Sequence, residues 1–78
     1  MSSPAEEKIA GYERRIEEHR AEIKQIKDGT GIYSDTSNKE KRDLIKSVKD
    51  GIHDCETAIH DLRQQQQGEF FIMMLALA

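Results

Sequence analysis

Tryptophan is absent, proline is confined to Pro4 and cysteine to Cys55, and there are two tyrosines and two phenylalanines. The lone cysteine excludes an intramolecular disulfide and fits a reducing compartment. There is no excess of positive charge either. Twelve basic against fifteen acidic residues leave a net charge of −3, which argues against general nucleic-acid binding, since that wants a basic surface. The start, "MSSPAEEK", has neither a basic stretch nor an apolar run. No cleaved signal is therefore expected, and a cytoplasmic location, or export by a route that needs no cleaved signal, is the default. At 78 residues the chain is one domain at most, and so short a chain buries a core small enough to need a partner, a metal or a crosslink.

Chemical motifs are missing as well. No glycine-rich phosphate loop, Ser-His-Asp order, Cys-x-x-Cys pair or His-Glu-x-x-His helix occurs. The nearest approach to a reactive cluster is "IHDCETAIHDL", residues 52–62, with two histidines, three acids and the cysteine. Its Ile-His-Asp repeat is seven residues long, so His53 and His60 lie roughly 10 Å apart along a helix axis, too far for one ion. Cys55 lies about 200° around the helix from His53. It reads as a small core residue, not a nucleophile. His60 is expected to contact Glu56, one turn earlier. No enzyme activity, cofactor or metal is expected.

What is present is helical periodicity. Ser3, Pro4 and Glu6 form an N-terminal capping signal. Ile9, Tyr12, Ile16, His19, Ile23 and Ile26 then step by alternating threes and fours, an a/d heptad stripe. Gly29 marks a C-terminus. A second capping box, Ser37 with Glu40, opens a stripe of Ile45, Val48, Ile52, Cys55, Ile59 and Leu62. The expected fold is all-α: an antiparallel, coiled-coil-like hairpin over residues 1–67, with helices at about 4–28 and 38–67 and a loop at 29–37. That pairing puts Ile26 near Ile45 and Ile9 near Leu62. Ile32 and Tyr33 are placed to fold back from the loop over the end of the core.

A lone hairpin buries one narrow seam. Leu44, Ser47, Gly51 and Ala58 widen the stripe on helix two, either as a tolerant solvated flank or as a second interface. The favoured expectation is an interface that pairs two hairpins into a four-helix bundle. His19, at a d position, is expected as a polar core residue that fixes register; a pH-sensitive core and partial exposure are the other readings. Charge is polarised: Lys39–Lys49 carries five basic residues and two acidic ones, whereas Asp50–Asp61 carries four acids and no lysine or arginine. The basic loop end, with Lys24, Lys27, Lys39, Lys41 and Arg42, is the one place a nucleic-acid contact would use.

After "RQQQQ" the character changes. Residues 68–78 read as an apolar tail, with Phe70, Phe71, Ile72, Met73, Met74, Leu75 and Leu77 among nine uninterrupted apolar residues. As a helix those nine span about 14 Å, half a bilayer core, so no transmembrane segment is expected. Either the tail continues helix two across Gly68, or Gly68 breaks the helix and the tail docks separately. Both readings make the tail a contact surface, for its own hairpin, a second subunit or another protein; interfacial membrane contact is a further reading, without basic residues to support it. The expected function is a small protein-binding module (an adaptor, chaperone or inhibitor), with a structural homo-oligomer as the alternative.

Overall fold

Ser3 starts the fold. Its hydroxyl accepts from the Glu6 amide at 3.1 Å and its own amide donates to the Glu6 carboxylate at 3.3 Å, which closes a full capping box. The computed structural model describes residues 3–77; Met1, Ser2 and Ala78, inside the expected boundaries, lie outside the described residues. Helix α1 runs Pro4–Asp28 and α2 runs Asn38–Leu77. The two pack against each other, and no strand occurs among the described residues.

Gly29 ends α1 in the left-handed region (φ 65°), where a β-carbon would be strained. The Gly29 amide donates to the Ile26 carbonyl at 3.2 Å and the Thr30 amide to the Gln25 carbonyl at 3.3 Å, the two bonds of a Schellman cap. A short 3-10 turn, Gly31–Tyr33, follows. Tyr33 folds back as expected, its hydroxyl donating to Glu22 at 3.1 Å. Ile32 does not: it is 88% exposed. Neighbouring side chains on so tight a turn diverge by about 120°, so only one of the two can face the hairpin. At the start of α2 the Ser37 hydroxyl accepts from the Glu40 amide at 3.2 Å; only this half of the second capping box is formed.

The seam follows the heptad stripes. Ile16, Cys55 and Ile59 are buried together, with Ile9, Tyr12 and Ile52 packed against them. Ile26 is fully buried near the turn. At about 25 cal/mol per Å² of apolar surface removed from water, such a seam stabilises modestly.

The second helix outruns the boundary expected for the hairpin, and of the two readings of the tail the continuous helix holds. Helix two does not stop at Gln67 but continues through Gly68 to Leu77. A glycine costs a helix about 1 kcal/mol relative to alanine. Glutamines before it and Phe, Met, Leu and Ala after it are compatible with continued helix, and no tertiary contact opposes it: nothing lies within 4 Å of where a Gly68 β-carbon would sit. The result is a rod 63 × 23 × 12 Å, close to the 60 Å length of forty helical residues.

Candidate functional site

The two helices are unequal, 25 residues against 40. α1 begins beside the region of Leu62 and Gln66, so the last turns of α2 stand alone. The tail residues occupy this overhang. Phe70, Phe71, Ile72, Met73, Met74, Leu75 and Leu77 are all 55–84% exposed. Successive residues turn by about 100°, so the apolar side chains surround the helix completely. Phe70, Met73 and Leu77 continue the line that α1 covers lower down, while Ile72 and Leu75 point away from it. Where α1 starts, a concave step forms, lined by Ser3, Pro4, Leu62, Gln66, Phe70 and Met73. The step is the feature that sequence reading missed. Its signal was the length mismatch, visible only once Gly68 is taken as helical. Glu6, Lys8 and Glu69 border it, and α2 carries no lysine or arginine after Arg63.

The flank residues separate. Leu44 and Ser47 face water, and Ala58 is half-buried. Gly51 is taken up within its own hairpin, because a β-carbon there would lie 3.2 Å from His19 Nε2. His19 itself is half-buried at the edge of the seam, not enclosed in the core. Its side chain keeps 33% of its surface, and Nδ1 lies 3.9 Å from a Glu22 oxygen. Opposite a residue without a side chain, the imidazole has room to lie across the seam margin. Glu22 thus meets His19 on one side and Tyr33 on the other. Burial, the hydrogen bond to Glu22 and that carboxylate's negative charge together raise the Tyr33 pKa above its usual value.

The reactive-looking segment disperses as its spacing implies. Cys55 is buried in the seam, and His53 and His60 are exposed. His60 does not reach Glu56; its Nε2 is 3.4 Å from Gln64 Nε2 and its Nδ1 is 3.8 Å from Asp61. A side chain on a helix leans toward its own N-terminal turn or meets one reaching back from the turn ahead, and Gln64 does the latter. Among the described residues, no three His, Cys, Asp or Glu side chains gather into a metal-binding group. A second groove, over Ile16 and Ile59, is rimmed by Glu13, Arg20, Glu56 and Arg63. Its charges are of both signs, and Arg63 bridges to Glu13 at 3.3 Å. That pair is exposed and contributes little.

Among the described residues no helix is long and apolar enough to cross a membrane. Compared with family models, characterised proteins and solved structures, the chain has no match in any of the three.

Proposed function

We propose that this chain is a non-enzymatic protein-binding module, a small cytoplasmic adaptor, chaperone or inhibitor that captures a protein target through its overhanging apolar helix end. The observation that carries the reading is the exposure of Phe70–Leu77 on all sides of one helix. Helices apolar all round are ordinarily buried. With roughly two-thirds of each large side chain open, the overhang offers on the order of 700 Å² of apolar surface, at the scale of 150–250 Å² per aromatic side chain. A monomer's largest apolar patch is typically about 300–600 Å². Methionines 73 and 74 suit an adaptable surface, since the thioether chain is flexible and polarisable. Leu44 and Ser47 supply a second, smaller contact on the α2 flank.

Deleting residues 69–78 tests this. The hairpin is expected to keep its helicity while capture of the target is lost. Capture that survives the deletion would refute the reading. The alternative, a structural homo-oligomer, is favoured by the same exposure. It predicts that the deletion lowers particle size and thermal stability together, with no other protein present.

A further inference from the structure

We infer that the step at the open end docks onto a second copy of this chain, the two α2 overhangs lying antiparallel, each in line with the other's α1. The inference rests on the reading of the overhang as a protein-docking surface, and it names a partner.

Two observations point to a second copy, and a third sets the strength of the contact. The first is continuity. Leu62 and Gln66 are half-buried under α1, and Phe70 and Met73 continue that line past its end, lining one concavity with Ser3 and Pro4. The missing element is therefore a short apolar helix antiparallel to α2, where α1 would have been. The overhang of another copy is such a helix. A step of this shape is also complementary to its own two-fold image, so the contact closes at two copies.

The second is charge. A parallel pairing would set two Glu69 carboxylates side by side. The antiparallel pairing separates them by about eight residues, roughly 12 Å, beyond the screening length in physiological salt. With Glu6, Lys8 and Glu69 at the base and no basic residue on α2 after Arg63, the same end has no basic cluster to hold an anionic lipid surface.

The third is area. Docking covers the inward half of each overhang and the start of α1. That total falls below the roughly 1,200–2,000 Å² of stable interfaces, in the class of weak, reversible contacts. The dimer is accordingly concentration-dependent, and the outward half, with Ile72 and Leu75, stays open to another protein.

Sedimentation and small-angle X-ray scattering on the full chain test this, beside two single variants. Met73→Glu charges the inward face and Ile72→Glu the outward face; both residues are exposed, so neither substitution disturbs the hairpin. The expected result is a reversible dimer whose longest dimension is about 110 Å, two rods overlapping by about 12 Å. Met73→Glu should shift it at least tenfold toward monomer, and Ile72→Glu should leave it intact. A dimer no longer than one rod would overturn the inference in favour of side-by-side packing. Equal loss in both variants would reduce the contact to unspecific clustering and overturn it too. A full-length chain that stays monomeric, or that binds phosphatidylcholine vesicles in place of its copy, would also overturn it. Failure of the functional reading has a different signature: target capture that neither variant nor the tail deletion alters.

Discussion

Gly51 on α2 leaves the space that His19 on α1 occupies: a β-carbon at Gly51 would stand 3.2 Å from His19 Nε2. The two residues are a matched pair. Alanine at 51 gains helix propensity of about 1 kcal/mol but crowds the imidazole, which has to shift to make room. In a double-mutant cycle measured by urea unfolding, Gly51→Ala is expected to stabilise the His19→Ala background by close to that full amount. In the presence of His19 the gain should be smaller. Equal gains in both backgrounds would show that the contact has no energetic consequence.

The two isoleucines nearest the turn make a sharp contrast. Ile26 is 0% exposed and Ile32 is 88% exposed. Ile26→Ala should cost about 2–5 kcal/mol, enough to leave so small a hairpin largely unfolded at room temperature. Ile32→Ala should change stability by less than about 0.5 kcal/mol. Thermal melts followed by circular dichroism distinguish the two directly.

Two glycines respond to alanine with opposite signs. Gly29 has φ 65° at the α1 cap, so Gly29→Ala should lower hairpin stability by about 1–2 kcal/mol. Gly68 is helical with open space around it, so Gly68→Ala should add up to about 1 kcal/mol of local helix stability. The gain falls on a segment whose large side chains are 55–84% exposed. It should appear as slower amide exchange over residues 69–77, with the unfolding midpoint little changed.

The Tyr33–Glu22 hydrogen bond predicts alkaline sensitivity. Folding raises the Tyr33 pKa above its ordinary value near 10. The associated stability is fully present below that ordinary value and is lost as pH rises through the raised one. In a Tyr12→Phe chain, where Tyr33 alone titrates, tyrosinate absorbance should develop at higher pH than in the unfolded chain. Glu22→Gln should bring the midpoint back down. A midpoint unaffected by Glu22→Gln would remove the carboxylate from the explanation.

The seam was legible because burial obeys a period that residue spacing exposes. Ile16, Ile26, Cys55 and Ile59 sit where the heptads put them, and the Ser3 box and the Gly29 cap are local devices written in a few adjacent residues. Three features resisted reading, each for a physical reason. Continuation through Gly68 turns on about 1 kcal/mol, too little to weigh against neighbours by inspection. The His19–Gly51 fit depends on how two helices align, which neither helix encodes alone. His60, Glu56 and Gln64 are all exposed, and the i, i+4 spacing offers His60 both neighbours without choosing between them. Of the expected surface, the tail's residues were identifiable from composition, whereas the step needed the relative lengths of two paired helices.

The antiparallel pairing about one turn also gives the rod a direction in time. Across the turn, Tyr33 reaches a residue eleven positions away, while Arg63 reaches one fifty away at 3.3 Å. Closing the larger loop costs more chain entropy, growing with the logarithm of its length. Ile26 and its neighbours are thus the natural place for the helices to meet first, with the seam zipping outward from there. Unzipping runs in reverse: the end where α1 begins frays first, and it is the end that holds the apolar overhang. An opening that begins at that end adds to the exposed apolar surface before it reaches Ile26.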